Sequence, residues 1–438
     1  MAEAAASPTP QPAASLWRHQ DFLKLWTADT VSQFGSQVSA LAIPFVAIVV
    51  LQASALQIGV LQAVDTLPFL LIGLPAGVWV DRLRRRPLLI VGDLGRALAL
   101  GWIPLAHVLH ILAIWQLYVV GFVVGVLTVF FDVAYQSYLP ALVERDQLID
   151  GNAKLQISAS GAQVAGPPIA GIVIGALTAP IAVLLDALSF LGSALFIFGI
   201  RRHEPPPEVR LDAAGRRTSL LADMREGLRY VLGHPLLRSI AGSTSTFNLF
   251  SSMGFAVLLL YLVRELGMSP ELVGLVFGVG SVGFLLGALF PQRIQRVFGL
   301  GPTIVASVFL GGIAFLLVPL APRGAPIPFL VVAQLGMGIS QVVYNVSQVS
   351  LRQAIAPAGI QGRMNATMRF LVWGTLPIGA TIGGFLGGTI GLRETLFVGA
   401  IGSAFAFLFV LFSPVRTLRS IPDAIAQFAS PEATPTHV

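Results

Sequence analysis

The sequence predicts an all-α integral membrane fold of about twelve helices in two six-helix bundles. Three observations predict it. The chain is 55% hydrophobic and only 11% charged, whereas a soluble globular domain carries about 25% charged residues. Apolar stretches long enough to cross a ~30 Å hydrocarbon core recur along its whole length. A repeat of constant offset relates its second half to its first.

The mean hydropathy is +0.81. A chain this apolar has too little polar surface to cover itself in water, so its solvent is lipid. The formal charge of +6 does not point to nucleic acid, because the basic residues sit in short loops between apolar segments. The absence of cysteine excludes disulfides, thiolate catalysis and cysteine metal sites. The six histidines are scattered without ligand spacing. The segment 1–15 is Ala/Pro-rich and polar, lacks the pattern of a signal peptide and reads as a disordered tail. The segment 413–438 reads as a second tail with one short amphipathic helix near Ile421 to Phe428.

The expected spans are 24–50, 55–80, 87–109, 113–139, 153–177, 180–200, 237–263, 270–291, 302–321, 326–350, 364–389 and 393–412. Each is expected to be a helix, because an open sheet would leave backbone groups unpaired in lipid. Orientation follows from the basic residues. With both tails inside, only Arg264, Arg323 and Arg393 fall outside, leaving 27 − 3 = 24 Lys and Arg on the inner side. Both termini are therefore expected in the cytoplasm. The expected domains are a bundle over 16–200, a cytoplasmic linker over 201–236, and a second bundle over 237–412. Pro205-Pro206-Pro207 and the charges mark the linker, whose stretch from Leu220 to Val231 has the pattern of an amphipathic helix lying on the membrane.

Asn152-Ala153 opens the fifth span and is followed by Gly161, Gly166 and Gly171. Asn365-Ala366 opens the eleventh and is followed by Gly374, Gly379 and Gly384. The offset is 213 at all five positions (365 − 152). Gln136 and Gln348 match with one residue of slippage. Small residues favour helix packing in lipid generally, but a constant offset at corresponding spans points to duplication.

The loop between the second and third spans reads Gly77-Val-Trp-Val-Asp81-Arg82-Leu-Arg84-Arg85-Arg86. It resembles the loop signature of the major facilitator superfamily, G-x-L-A-D-R-x-G-R-R/K. Gly77, Asp81, Arg82, Arg85 and Arg86 match, and Arg84 replaces the second glycine. Gly166-Pro167-Pro168-Ile169-Ala170-Gly171 in the fifth span resembles the G-P-x-x-G-G motif of the superfamily's antiporters. Arg18-His-Gln-Asp21-Phe22, Phe131-Asp132-Val-Ala-Tyr135-Gln136 and Asp186-Ala-Leu-Ser189-Phe190 resemble one bacterial branch, which contains macrolide, multidrug and enterobactin exporters. The resemblance implies the major facilitator fold with a central cavity between halves. It implies a cytoplasmic latch, in which Asp81 meets the start of the eleventh span near Gly362 to Asn365. Unpaired N–H groups at a helix start suit a carboxylate there. The fifth-span motif is implied to seal exporters against leak.

Polar residues fall at helical spacing on several spans. Asp29, Gln33 and Ser36 share a face of the first, Gln62, Asp65 and Phe69 of the second, Thr128, Asp132 and Gln136 of the fourth, and Gln156, Ser160 and Gln163 of the fifth. Thr244, Asn248 and Ser251 share a face of the seventh, and Gln334, Gln341, Asn345 and Gln348 of the tenth. Hydrogen bonding between helices accounts for any one stripe, whereas stripes on many helices at once point to a water-filled cavity. Four acids stand out within spans of the first half: Asp29, Asp65, Asp132 and Asp186. A charge at the bilayer centre costs ~2.5–3.5 kcal/mol on insertion scales. Asp65 and Asp186 are the foremost candidates for carrying a proton or meeting a cationic substrate. Asp29 and Asp132, nearer the interface, read rather as structural, with Arg96 or Arg369 as partner.

These expectations combine into a secondary active transporter of a bacterial cytoplasmic membrane. It would export amphipathic small molecules such as drugs or siderophores in exchange for protons. No cofactor is expected beyond the coupling proton, no partner beyond substrate and membrane lipids, and the unit is read as a monomer. Nutrient uptake and lysophospholipid flipping are the alternatives. No nucleotide-binding G-x-x-x-x-G-K-[ST] loop occurs, and no catalytic constellation projects from one membrane face, so an enzyme is not expected.

Overall fold

The protein is described by a computed structural model covering residues 16–80, 83–202, 220–357 and 359–428. Among these residues the regular structure is helical, with twelve helices long and apolar enough to cross a membrane. Helix 1 runs Gln20–Phe45 and continues through a π turn, Val46–Val50. Then come helix 2 (Ala55–Val80), helix 3 (Arg85–Val108), helix 4 (Ile114–Leu142), helix 5 (Leu148–Leu177) and helix 6 (Ala179–Phe198). A linker helix, Leu220–Gly233, precedes helix 7 (Pro235–Arg264), helix 8 (Pro270–Leu289), helix 9 (Leu300–Leu320) and helix 10 (Pro326–Ile355). Helix 11 spans Gln361–Thr389 and helix 12 Leu392–Leu411. A short helix follows at Ile421–Phe428. The segments 1–15, 203–219 and 429–438, residue 358, and Asp81 and Arg82, expected to act as a latch, lie outside the described residues.

Several helices run past the apolar window. Helix 5 begins at Leu148 rather than 153, and helix 10 reaches Ile355 rather than 350. The added turn of helix 5 is held by the pair of Lys154 with Asp150, which stabilises a helix end beyond the hydrocarbon, and that of helix 10 by burial of Leu351 and Ile355. Helix 11 is interrupted between Trp373 and Thr375. Pro377 has no N–H to donate to the Trp373 carbonyl four residues back, and its ring crowds that carbonyl. Helix 7 satisfies the loosened backbone: Ser245 donates to Leu371 O at 3.2 Å, Asn248 to Val372 O at 3.1 Å and Ser252 to Leu376 O at 2.7 Å.

The described chain begins and ends at one end of the bundle, here the tail end. The apolar core divides there. One buried cluster at the tail end joins helices 1 to 6 through Phe22, Leu89, Phe131 and Tyr138. A separate one joins helix 7 with helices 9 to 12 through Ile240, Ile304, Leu351, Met368 and Val410. At the far end a single cluster unites both halves, from Phe45, Leu100 and Phe190 to Tyr261, Phe315 and Leu396. The molecule is thus a wedge, sealed at the far end and parted at the tail end.

Glycines form the seal. A β-carbon at Gly59 on helix 2 would lie 2.7 Å from Gly384 Cα on helix 11, and one at Gly274 on helix 8 would lie 2.9 Å from Gly171 Cα on helix 5. Bare backbones touch at both crossings, as small residues permit in lipid. Gly171 and Gly384 are the repeat-related pair, so the same device stands on both sides. The repeat extends to the next turn. Thr178 (φ 89°) and Gly391 (φ 108°), also 391 − 178 = 213 apart, both hold positive φ between successive helices. Arg264 adds a clasp across the halves, donating to Ala53 O at 2.9 Å. Large apolar side chains such as Leu98, Leu195 and Phe412 stand outward. An apolar surface of that extent suits hydrocarbon rather than water.

Candidate functional site

Polar and aromatic side chains gather at two cavities, one in each half. The first, of about 470 Å³, lies among helices 1, 3, 4 and 5 and is lined by Asp29, Gln33, Arg96, Asp132, Tyr135 and Gln136 among others. The stripes expected on helices 1, 4 and 5 converge here because helix 1 packs on helix 5 and helix 3 on helix 4. Asp29 is buried and faces Tyr135 and Gln33.

Behind this cavity lies a buried charge cluster. The Arg96 guanidinium donates to Asp93 Oδ1 at 2.6 Å. The Ser193 hydroxyl donates to the other Asp93 oxygen, Oδ2, at 2.6 Å. The guanidinium sits between two rings, 4.1 Å from the Phe131 centroid and 4.2 Å from that of Phe190. Asp132 and Asp186 also lie within electrostatic reach of it. One carboxylate, Asp93, pairs with the cation directly, and those of Asp132 on helix 4 and Asp186 on helix 6 stand farther off. Asp93 is the residue that sequence reasoning missed. Its signal was present, an Asp and an Arg three residues apart inside an apolar helix, where each reduces the other's burial cost. Arg96 thus has its primary partner on its own helix. Arg369 stacks over Trp373 at 5.4 Å and does not join the acids.

The two foremost acids share a setting. Asp186 accepts a hydrogen bond from Ser189 at 3.0 Å and rests against Gly35 of helix 1, where a β-carbon would meet the Asp186 carboxylate and Ser189 Cβ within 3.0 Å. Asp65 rests against Gly121 of helix 4 in the same manner. Gly121 lies on the helix 4 face that carries Thr128 and Asp132, seven and eleven residues on, so Asp65 extends that stripe toward the far end. Among the described residues Asp65 has no hydrogen bond or ion pair. In both cases a neighbouring glycine makes room for the carboxylate.

The second cavity, of about 380 Å³, lies among helices 7 to 10. Phe247, Phe255, Phe277, Phe284, Phe315 and Met337 form its apolar wall, and Asn248, Ser251, Gln334 and Gln341 supply uncharged polar groups. Among the described residues no ionisable side chain lines it. The amide of Asn248 is partly committed to the helix 11 break. Of the remaining polar candidates, Gln62, Gln163 and Asn345 line neither cavity, and Asn345 accepts from Gln348 at 3.1 Å.

The helix 5 motif sits at the far-end seal. Gly166 packs on Gln37, the Pro167 carbonyl on Gly274, and the Pro168 ring on Gly278. Of the loop motif, Gly77 falls within helix 2. Arg86 donates to Ile197 O at 3.3 Å and Phe198 O at 2.6 Å, capping the end of helix 6, where a cation complements the terminal carbonyls. Arg85 is the first residue of helix 3. The start of helix 11 is held by the linker helix, through an ion pair between Arg363 and Glu226. Among the described residues no cluster of His, Cys, Asp or Glu could hold a metal ion.

A family model described as transmembrane secretion effector matches residues 12–435. The multidrug efflux pump Tap of Mycolicibacterium fortuitum is 27% identical over 82% of this chain and 88% of its own length. Macrolide efflux protein A of Streptococcus pyogenes is 22% identical over 91% and 97%. An MFS-type transporter of Bacillus subtilis, YfiS, is 24% identical over 87% and 91%. Among solved structures, a bacterial homologue of the iron transporter ferroportin in an inward-facing state superposes with a TM-score of 0.72, at 16% identity over 91% of this chain and 99% of that one. The outward-facing form superposes with a TM-score of 0.54, at 17% identity over 89% and 98%. These likenesses to solved structures concern the fold.

Proposed function

Because this chain belongs to the transmembrane secretion effector family of major facilitator transporters, we propose that it is a proton-coupled exporter of amphipathic small molecules. The observation that carries the reading is the division of chemistry between the halves. The first half holds Asp29, Asp65, Asp93, Asp132 and Asp186 with one buried guanidinium. The second holds a cavity walled by five phenylalanines and a methionine with no charge. Acids in excess of cations give protons a place to reside within the membrane. An aromatic wall binds lipophilic rings through apolar contact and offset stacking.

Asp65 and Asp186 are the proposed proton carriers. The apolar body of the substrate rests on the phenylalanines, and a basic group, where the substrate has one, turns toward Asp29 and Asp132. An ionised carboxylate is costly to enclose in lipid, at ~2.5–3.5 kcal/mol on insertion scales. A proton or a cationic substrate group removes that cost, so the loaded carrier changes state more readily than the empty one. Each ligand thereby biases the equilibrium by its differential affinity for the two states. With both termini in the cytoplasm of a bacterium, the wedge open at the tail end is the inward-open state. Asp81 would then latch helix 11 when the tail end closes, displacing the linker-helix contact at Arg363. The chain is read as a carrier rather than an enzyme, working as a monomer. The efflux names of the Mycolicibacterium and Streptococcus relatives favour export over uptake.

The experiment is a susceptibility panel in a bacterial host stripped of its own efflux pumps. Expression of the chain should raise the inhibitory concentration of lipophilic compounds, and Asp65→Asn or Asp186→Asn at equal membrane abundance should abolish the rise. An unchanged panel at confirmed expression would contradict export of this class.

A further inference from the structure

Four arginines converge on a cavity of about 420 Å³ at the tail end of helices 3 and 6: Arg84, Arg86, Arg201 and Arg202. Its remaining lining is apolar, from Pro87, Ile90, Val91 and Phe198. No carboxylate lines it among the described residues. The nearby Asp21 accepts from the backbone N–H groups of Arg201 and Arg202 at 3.2 and 3.0 Å and from Lys24 at 3.0 Å. Two arginines are fixed in place, Arg86 on the helix 6 carbonyls and Arg202 on Leu142 O at 2.8 Å. The other two, Arg84 and Arg201, are exposed and carry no ion pair among the described residues. Arg84 is the residue that stands where the superfamily loop signature has glycine.

A cluster of arginines at a loop is sufficient to orient a membrane protein, but two features go beyond that. The cations line a cavity rather than a convex surface. Apolar stripes run from it toward the far end, Val91, Leu94 and Leu98 on helix 3 and Phe198, Leu195 and Leu191 on helix 6, all outward-facing. Helices 3 and 6 pack side by side, so the two stripes flank one lipid-facing groove. Cationic guanidinium groups attract phosphate oxygens by charge and hydrogen bonding, and hydrocarbon chains match the stripes.

We propose that the arginine cavity at helices 3 and 6 is a binding site for one anionic phospholipid, its phosphate among Arg84, Arg201 and Arg202 and its acyl chains along the helix 3 and helix 6 stripes. Basic pockets between helices on the cytoplasmic side are suited to such headgroups. The site needs only the membrane-embedded fold and is independent of the substrate and of proton coupling.

The test uses the full chain purified in detergent. It is titrated with dioleoylphosphatidylglycerol, with dioleoylphosphatidylcholine and with inorganic phosphate, and bound lipid is counted by native mass spectrometry. The wild type should retain phosphatidylglycerol over phosphatidylcholine, and millimolar phosphate should not displace it. Each of Arg84→Gln and Arg201→Gln should weaken retention about five-fold, as expected for one basic residue at an anionic surface. The charge-keeping pair Arg84→Lys and Arg201→Lys should retain most of it, which separates loss of charge from loss of fold. Equal retention of the two lipids, undiminished retention by the double Gln variant, loss in the double Lys variant equal to that in the double Gln variant, or full displacement by phosphate would each overturn the proposal.

Discussion

Alanine at Gly121 places a methyl carbon where the Asp65 carboxylate now rests. That carbon would lie well under 3.0 Å from the nearer carboxylate oxygen, against 3.6 Å from Cγ. An ordinary contact needs 3.4–4 Å, so the carboxylate must retreat by about 1 Å, through a χ change costing ~0.5–1.5 kcal/mol. The helix itself gains roughly 0.5–1 kcal/mol from Gly→Ala. The two effects nearly cancel, so Gly121→Ala should fold and insert as the wild type does. If Asp65 carries the coupling proton, the displacement falls on one protonation state more than the other. A cost of that size then changes pH-gradient-driven transport by about two- to ten-fold. The assay is uptake or efflux in proteoliposomes under an imposed pH gradient, with the compound that the susceptibility panel selects. Gly101→Ala is the control, since a β-carbon there meets open space. Transport by Gly121→Ala equal to that of Gly101→Ala, with the same dependence on the gradient, would refute the placement of Asp65 in the coupling step.

Three other perturbations follow from the geometry. Asp93→Asn leaves the buried Arg96 guanidinium with its nearest counter-charge removed and should destabilise the fold by ~3–5 kcal/mol. A thermal unfolding scan in detergent reads this, and Arg96→Met in the same background should recover part of the loss. Gly274→Ala drives a β-carbon to 2.9 Å from Gly171 Cα, which backbone cannot yield cheaply, so helices 5 and 8 must part. Proteoliposomes with this variant should leak protons without substrate, and tightness equal to the wild type would remove these glycines from the seal. Thr178→Gly should raise stability by about 0.5–2 kcal/mol, because relief of a positive φ that strains a β-branched residue outweighs glycine's extra backbone freedom, and a lowered melting temperature would contradict that assignment.

The spans and the repeat were legible because lipid imposes them. Hydrocarbon thickness sets the length of an apolar run, and unpaired backbone forbids anything but helix there. The repeat at Gly171 and Gly384 was visible as spacing, although its meaning, backbone contact across the halves, needed the fold. Asp29, Asp132, Gln33 and Gln136 could be grouped from their periodicity because their cavity is lined along helix faces. The aromatic cavity could not. Phe247, Phe277, Phe315 and Met337 come one or two from each of four helices, and in a chain with 28 Phe no periodic signal separates them from lipid-facing residues. Asp93 was missed for the opposite reason, as a lone polar pair on a helix with no stripe. The break in helix 11 is marked by Pro377, but the helix 7 side chains that satisfy it are more than 120 residues distant in sequence.

The measurement that bears most directly on proton-coupled export records both fluxes at once. Wild-type protein is reconstituted in vesicles with a pH-sensitive dye inside, and substrate movement and internal pH are followed together after substrate is added to one side. Antiport predicts that protons move opposite to substrate, that neither moves appreciably without the other, and that the double variant Asp65→Asn, Asp186→Asn carries no protons with substrate. Substrate movement with no change in internal pH, or with protons travelling in the same direction, would contradict it.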